Sequence, residues 1–449
     1  MPLQSINPAT GEVLRTFPTL DEAAVQQRIG QAAEAALQQR SLPLDHRVLC
    51  LRKLASLLEE DSADIARTIS LETGKPIRGA AGEVRRCVET CRYYADNAVR
   101  LMAPEVISTE GGQAYIQWSP IGVVLAVMPW ESPLWHVLRF AVPTLVAGNA
   151  VLLKHAPSVP QTALLIEGLV RRAGFSRGAL TALLVDERMV ETVFADERVA
   201  AVTVTGPEAV GRALAAQAGW LLKKGAMHLQ GSDPMVVMAS ADLDAAVAAA
   251  GQALRDGSGA RRIIVEAGVY GEFLRRLTTL VDGFRIGDPS REETEVGPLG
   301  TVEAAALLEE QIKAAVTAGG RIACGGARLV GRGNFLEPTV LTDVPRTSAV
   351  ARDPLAGPVT MLFRARDLQD AIALANGSPF TRSASVWTKE PGEQQGLIAG
   401  VDAGFVALNA LALDDPRLPV GGARRSGYGR ELGSQGIREF LIAKTVVIA

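Results

Sequence analysis

Residues 122–158 read GVVLAVMPWESPLWHVLRFAVPTLVAGNAVLLKHAPS, and this stretch decides the fold. The run Ile121–Met128 is continuously apolar and ends at Pro129, which is typical of a strand buried on both faces. Residues 134–147 place apolar side chains at helical spacing, and a second buried strand follows at Ala150–Lys154. The stretch therefore predicts a strand, a crossover helix and a parallel neighbouring strand.

The same alternation continues on both sides of this stretch. Residues 21–101 carry apolar side chains at helical spacing and predict a run of long helices. A second α/β segment begins at Pro234. Such alternation predicts a parallel, doubly wound sheet, with ligands at the carboxyl ends of its strands. Further predicted elements are helices at 161–173, 242–254 and 270–282 and strands at 180–185, 200–205, 224–228 and 263–265.

Composition and charge narrow the class of protein. The chain has 449 residues, of which 48% are hydrophobic and 21% are charged, as in an ordinary soluble protein of two or three domains. A net charge of −3 gives no reason to expect nucleic acid or a membrane surface as a partner. The N-terminal residues MPLQSINPATGEV lack the regions of a secretory signal, and no charge-free run is long enough to span a bilayer. We therefore expect a cytoplasmic protein.

The four cysteines do not have the spacing of a metal site. They are Cys50, Cys87, Cys91 and Cys324. Cys87 and Cys91 are one helical turn apart, and we expect them to be a buried, reduced pair. No cluster of histidine, cysteine and aspartate predicts a metal ion.

Short motifs follow one another in order along the chain, among them INPATGEV at 6–13, LETGKPI at 71–77, GVVLAVMPW at 122–130, VPTLVAGNAVLLKHAPS at 142–158, VTVTGPEAVG at 202–211 and SGYGREL at 426–432. Together they resemble the NAD(P)-dependent aldehyde dehydrogenase superfamily, and most of all its bacterial succinate-semialdehyde dehydrogenase branch. The resemblance implies an α/β aldehyde dehydrogenase fold of three parts. These are a Rossmann-like, doubly wound nucleotide-binding domain at 1–104 and 122–233, a catalytic-type domain at 234–425, and a small β oligomerisation flap at 105–121 and 426–449. It also implies a homodimer or homotetramer that acts on a small-molecule carbonyl compound.

The chemistry that the resemblance implies is not carried in full by this chain. Enzymes of the family use a cysteine thiolate to attack the aldehyde, an asparagine to stabilise the oxyanion and a glutamate to activate water. The cysteine belongs in the segment GQALRDGSGARR at 251–262, which holds no cysteine and is a few residues shorter than the family pattern. Ser258 lies there, but a serine needs an adjacent base to become a nucleophile. We expect a flexible turn at this position.

Two other chemical positions carry different ionisable residues. Glu131 stands where the asparagine would follow Pro129 and Trp130, and His228 stands at the position of the glutamate. A histidine near a carboxylate makes an acid/base pair near neutral pH. We therefore predict a repurposed protein that lost aldehyde oxidation and runs non-redox acid/base carbonyl chemistry with His228 and Glu131. The alternatives are two unconnected substitutions in a non-catalytic scaffold subunit, and a residual NAD(P)-dependent succinate semialdehyde dehydrogenase.

Candidate residues for an NAD(P) site remain. Lys154 matches the lysine that contacts the adenosine ribose or its phosphate, and Gly206 and Gly211 frame the turn into a helix whose N-terminus suits a pyrophosphate. Trp130 is the fourth candidate. In the alternative, which we favour here because Pro354 replaces the glutamate that would hold the nicotinamide ribose, the glycines serve packing and turns and no nucleotide binds.

Overall fold

The N-terminal part of the chain is a hairpin followed by four helices. The computed structural model describes residues 2–109, 112–257, 259–331, 333–355, 357–412 and 414–448. Within these residues, no helix has the length and apolar character that crossing a bilayer requires. Asp21 begins the first helix by accepting a hydrogen bond from the Ala24 N–H at 2.8 Å. The elements are β1 (Leu3–Ile6), β2 (Val13–Phe17), α1 (Glu22–Ser41), α2 (Leu44–Glu60), α3 (Ser62–Thr73) and α4 (Ile77–Leu101).

The predicted doubly wound sheet is confirmed. Its core is the parallel pair that residues 122–158 predict, with Val123 opposite Ala150. The elements are β5 (Val123–Met128), α5 (Pro133–Val146), β6 (Ala150–His155), α6 (Pro160–Arg172), β7 (Leu180–Ala182), α7 (Met189–Ala195), β8 (Val199–Gly206), α8 (Glu208–Leu221) and β9 (Lys224–Leu229).

The strand order places a crevice at the end of β5. The chain runs from β5 to β6 and β7 on one side, and then returns to β8 and β9 on the other side. This reversal is the topological switch point at which open α/β sheets bind ligands, outside the carboxyl ends of the strands.

The second large sheet has seven strands in the order β12-β13-β14-β11-β10-β16-β17, with β12 antiparallel to β13. Its buried faces carry two separate apolar clusters, so it has a core of its own. The elements are β10 (Pro234–Val237), α9 (Leu243–Arg255), β11 (Arg262–Glu266), α10 (Tyr270–Asp282), α11 (Val302–Thr317), β12 (Arg321–Cys324), β13 (Thr339–Thr342), α12 (Ala349–Arg352), β14 (Val359–Ala365), α13 (Leu368–Ala375), β16 (Ser383–Trp387), α14 (Pro391–Gly400) and β17 (Phe405–Leu408).

Short elements near the C-terminus join the parts. The strand β20 (Leu441–Ile448) pairs with β4 (Gly112–Pro120), which also pairs with β3 (Glu105–Thr109). The others are β15 (Phe380–Thr381), β18 (Ala423–Arg424), β19 (Gly427–Tyr428) and α15 (Gly433–Arg438). The strand β19 lies inside the range 426–449 that the sequence assigns to the flap, but it pairs with β9 of the first sheet. The division into three domains stays a prediction.

The two large sheets meet end to end. Because β9 ends at Leu229 and β10 begins at Pro234, the carboxyl edge of the first sheet leads directly to the amino edge of the second. A backbone hydrogen bond also joins the N-terminal helices to the loop after α10. In this bond the Ile77 N–H donates to the Pro289 carbonyl at 2.8 Å. Beside it, a Cβ on Gly297 would lie 1.9 Å from the carbonyl oxygen of Gly74. Only glycine allows this approach.

Replacing Gly297 by alanine should therefore loosen the contact between the N-terminal helices and the second sheet. We expect Gly297→Ala to lower the free energy of unfolding by roughly 1–3 kcal/mol, the usual cost of overpacking. The control is Gly168→Ala on α6, where a Cβ meets no atom within 4 Å. That variant should be about 0.5–1 kcal/mol more stable, because alanine favours a helix. Equal denaturant midpoints for the two variants would contradict the contact.

Candidate active site

His228 lies near the carboxyl end of β9, in the crevice between the two sheets. It pairs with Thr205 of β8 on one side and with Gly427 of β19 on the other. The side chain is only 5% exposed, and its Nε2 atom is 3.9 Å from Oε1 of Glu431. Burial lowers the pKa of His228, and the Glu431 carboxylate opposes that shift. The imidazole is therefore neutral at pH 7 and able to accept a proton.

Glu431 is held by a buried ion pair. Arg139 of α5 places its Nε atom 2.5 Å from Oε2 of Glu431, and both side chains are buried. The Glu431 backbone is bonded in both directions to Val420, so its position is set by the C-terminal segment. Sequence reasoning missed this pair. Glu431 stands in the quoted motif SGYGREL, but no spacing rule relates it to Arg139 or His228.

Glu131 follows β5 in the turn that leads into α5. Its side chain is exposed to solvent. Loss of hydration raises the pKa of Glu131, and the positive charges of Arg382, Lys75 and Arg261 oppose this. A higher pKa favours the neutral form, which repels a developing oxyanion less than a carboxylate does.

The structure does not join His228 to Glu131. Among the described residues, no hydrogen bond or ion pair links these two side chains. The reason is the strand order: β8 lies between β5 and β9, so the backbones are two strand spacings, about 10 Å, apart. The carboxylate beside His228 is Glu431, and the acid/base pair expected from the sequence is not formed in this arrangement.

The turn after α9 leaves open space. Ser258, the candidate nucleophile of the segment 251–262, lies outside the described residues. Gly257 and Gly259 have φ angles of 60° and 64°, and a Cβ on either would meet no atom within 4 Å. The Arg261 guanidinium donates hydrogen bonds to the carbonyl oxygens of Gly257 and Gly357, which pins the turn. Burial, and next the charge of Arg382, lower the pKa of Arg261 to about 10.

The four cysteines lie elsewhere. Cys50, Cys87 and Cys91 are buried in the helical core, where the predicted reduced pair is observed, and Cys324 is on β12 at the edge of the second sheet. Burial raises the pKa of Cys324 to about 11 and that of Cys87 far above its ordinary value. A thiol with such a pKa is a poor nucleophile at pH 7.

Two of the four nucleotide candidates fit a dinucleotide. Gly206 at the end of β8 has a φ of 155° with nothing within 4 Å of an added Cβ, so a ligand has room there. The first turn of α8 has no side-chain cap, and its free amides suit a phosphate. Lys154 is buried at the end of β6, with Nζ 3.9 Å from Oε1 of Glu187. Burial lowers the pKa of Lys154, and Glu187 opposes the shift.

The other two candidates have clear packing roles. A Cβ on Gly211 would lie 2.4 Å from Cδ2 of Leu229, so this glycine lets α8 pack on β9. The Trp130 ring covers Gly300, where a Cβ would lie 2.4 Å from its Cζ3 atom. A part of either residue in coenzyme binding stays a prediction. Among the described residues, no group of histidine, cysteine, aspartate and glutamate is arranged to hold a metal ion.

Buried polar groups fix the turn that carries Trp130 and Glu131. His155 donates from Nε2 to the Pro133 carbonyl at 2.9 Å, and its Nδ1 accepts from the Ala156 N–H at 3.0 Å. The Nδ1 atom also lies 3.3 Å from the Met128 carbonyl oxygen, a contact that favours the charged ring, but burial outweighs it and keeps the imidazole neutral. From the other side, Oε1 of Glu83 accepts the N–H groups of Leu134 and Trp135 at the start of α5.

Known proteins are similar to this chain over its whole length. The sequence pattern of the aldehyde dehydrogenase family matches residues 1–446. A probable succinate-semialdehyde dehydrogenase [NADP(+)] from Synechocystis sp. is 44% identical, covering 100% of both chains. The succinate-semialdehyde dehydrogenase [NADP(+)] from Mycobacterium avium is 42% identical, covering 100% of this chain and 97% of its own. The crystal structure of succinic semialdehyde dehydrogenase from Streptococcus pyogenes in complex with NADP+ superposes with a TM-score of 0.97 at 30% identity, covering 99% of each chain.

These similarities correct the main functional expectation. The prediction that the fold had lost aldehyde oxidation for non-redox acid/base carbonyl chemistry with His228 and Glu131 is wrong. Full-length relatives at 42–44% identity are named as aldehyde-oxidising enzymes, and this also contradicts the non-catalytic scaffold. The error came from weighing a few substituted positions above the whole scaffold. The segment 251–262 holds no cysteine, but this does not establish that catalysis was lost.

The neutral form of His155 makes a testable contribution to stability. Burial lowers its pKa from 6.5 to about 4, so the unfolded chain takes up the proton first as pH falls. The stabilisation is present above pH 6.5 and is lost as pH falls toward 4. In this window the wild type should lose about 1.4 kcal/mol per pH unit more than His155→Gln. Chemical denaturation at several pH values measures the difference, and parallel curves for the two proteins would contradict the assignment.

Proposed function

Since the chain belongs to the aldehyde dehydrogenase family, we propose that it oxidises a small semialdehyde, first of all succinate semialdehyde, to the acid with NADP+ or NAD+. The observation that carries this proposal is the full-length identity of 44% to a relative named for that reaction. The match covers both chains in full, which supports a shared fold with the crevice at the strand ends and the uncapped helix start described above.

From the sequence, we favour a role in packing and turns for Gly206 and Gly211, without a bound nucleotide. This expectation is not supported. The open space at Gly206, the uncapped start of α8 and the buried Lys154 together favour a bound dinucleotide. Lys154 would hold the adenosine side of the coenzyme, and the amides of α8 would face its pyrophosphate. A 2′-phosphate would pair with Lys154 but would also approach Glu187, so either coenzyme is a candidate.

Arg382 is the candidate partner of the substrate carboxylate. Its side chain lies over Gly231, where an added Cβ would be 3.0 Å from the Nε atom. The side chain is 39% accessible, and it is only loosely held by Asp233, with Nη2 3.5 Å from Oδ2. It also interacts with Glu131 at the end of β5. A dicarboxylate-like semialdehyde therefore finds an accessible guanidinium at the crevice, and its aldehyde end is left to face the other residues.

We also propose that the protein works as a homodimer or homotetramer. The edge strand β20 and the strand β3 expose Val447 at 67% and Val106 at 82%, and α8 ends in the exposed side chains of Trp220 and Leu222. Exposed apolar edges of this kind are a liability unless another chain covers them.

Formation of reduced coenzyme from succinate semialdehyde is the direct test of the proposed function. We expect it with NADP+, NAD+ or both, followed by absorbance. In the Lys154→Met variant the KM for coenzyme should rise about tenfold or more, because a charged hydrogen bond is lost, while the KM for the semialdehyde stays the same. A flat trace with both coenzymes at high concentrations of substrate would overturn the proposal.

Arg382→Gln tests the carboxylate partner separately. We expect the KM for succinate semialdehyde to rise about 10–100-fold, the range for losing one charge-assisted hydrogen bond. Butyraldehyde, which has the same chain length without the carboxylate, is the matched substrate control and should be oxidised equally by both proteins. An equal rise in KM for both substrates would mean that Arg382 only supports the structure.

A further inference from the structure

Oxidation of an aldehyde to an acid requires that an oxygen or a thiol first adds to the aldehyde carbon. This chain has no cysteine in the segment 251–262, where the family pattern would place the thiol. Three cysteines are buried among helices, and the fourth lies on β12 at the outer edge of the second sheet. A Cβ added at Gly257 or Gly259 would meet no atom within 4 Å, so the turn leaves open space beside these two residues. Room for water, without a sulfur atom, points to a different form of the substrate.

We propose that this chain oxidises the hydrated aldehyde, a geminal diol, without a covalent bond to the protein, and that His228 is the base that accepts the hydroxyl proton. This inference rests on the proposed function, since it concerns how the same semialdehyde reacts. Small aldehydes form such hydrates in water without an enzyme. The hydrate therefore already carries the second oxygen of the acid. In a route through a thiol, water adds this oxygen only when the thioester is hydrolysed.

The residues packed on the Nε2 side of His228 suit a base that accepts a proton on its other ring nitrogen. Its Nε2 atom is fully buried and faces the Glu431 carboxylate, which Arg139 holds in place. The other ring nitrogen, Nδ1, makes no hydrogen bond with a described residue and is not fully buried. With the proton on Nε2, directed to Glu431, the lone pair on Nδ1 is free to accept a proton from a hydroxyl group. Glu431 and Arg139 are positioning residues in this arrangement.

The step balances without a further reactant. One hydroxyl of R–CH(OH)2 gives its proton to Nδ1 of His228, and the C–H bond breaks as the C=O bond of the acid forms. A nicotinamide dinucleotide held at Lys154 and the start of α8 would supply the oxidant that takes up this hydrogen with its two electrons. The overall change is R–CH(OH)2 + NAD(P)+ → R–COOH + NAD(P)H + H+, and His228 releases its proton to solvent.

Charged groups on several elements face His228 and set its pH behaviour. Glu431 and Glu439 raise its pKa, whereas Arg139 and Arg430 lower it, and burial is the largest influence. The base is active when neutral, so the rate should fall on the acid side. Glu431→Gln removes the negative charge that most strongly raises the pKa of His228. The acid limb of the kcat/KM profile should therefore move to lower pH. A purely structural role for Glu431 would change the rate at every pH equally.

Two measurements decide the proposal. The first is the intact mass of the protein, quenched during turnover of succinate semialdehyde. We expect the unmodified mass, and unchanged turnover in Cys324→Ser; an acyl adduct on the protein would overturn the proposal.

The second measurement does not depend on turnover. The probe is the trifluoromethyl ketone analogue of succinate semialdehyde, a hydrate in water, observed by fluorine NMR with coenzyme present. We expect the wild type to bind the hydrate and His228→Gln to bind it about tenfold more weakly, the effect of one hydrogen bond. His228→Asn repeats the test if His228→Gln does not fold.

The outcomes separate this inference from the proposed function. A bound hemiketal with a protein side chain, no binding by the wild type, or equal binding by the folded variant would overturn the hydrate route. Absence of reduced coenzyme, with the hydrate still bound through His228, would instead sink the proposed function and leave this site standing.

Discussion

The buried ion pair between Arg139 and Glu431 is the interaction on which the site depends. It joins the first helix of the six-stranded sheet to the C-terminal segment, and it places a carboxylate 3.9 Å from Nε2 of His228. Two charges taken out of water gain only when each has its partner, so removing one would leave the other buried and uncompensated. The pair therefore specifies one arrangement of α5, β9 and the C-terminal turn. That arrangement also fixes the surroundings of His228 at this side of the crevice.

Neutral histidines are the second constraint. His155 holds the turn after β5 through contacts at both ring nitrogens, and burial keeps its ring uncharged. His136 is half-buried and His228 is buried, and loss of hydration lowers the pKa of each. The crevice is thus built from groups whose charge is suppressed by burial, beside arginines that cannot lose theirs. Such an environment favours a base at neutral pH and an anionic substrate.

Much of the fold could be predicted because its signals are local. The apolar run at 121–128, the helix at 134–147 and the strand at 150–154 are adjacent in the chain, and the structure confirms the parallel pair that they predict. The strand order is not local. Nothing in the sequence states that β8 separates β5 from β9, and the expected contact between Glu131 and His228 failed for that reason. Glu431 was missed likewise, because only tertiary packing brings it to His228. The functional error had another origin, since substitutions at single positions indicate what a residue cannot do but not which other route a substrate can take.

We propose that this chain oxidises a semialdehyde without a cysteine. The most direct measurement is coenzyme reduction by a variant in which Cys50, Cys87, Cys91 and Cys324 are all replaced by alanine, with its folded state verified by circular dichroism. The folded, cysteine-free protein should reduce coenzyme with succinate semialdehyde at a rate close to that of the wild type. A folded variant that has lost this activity, beside an active wild type, would contradict it.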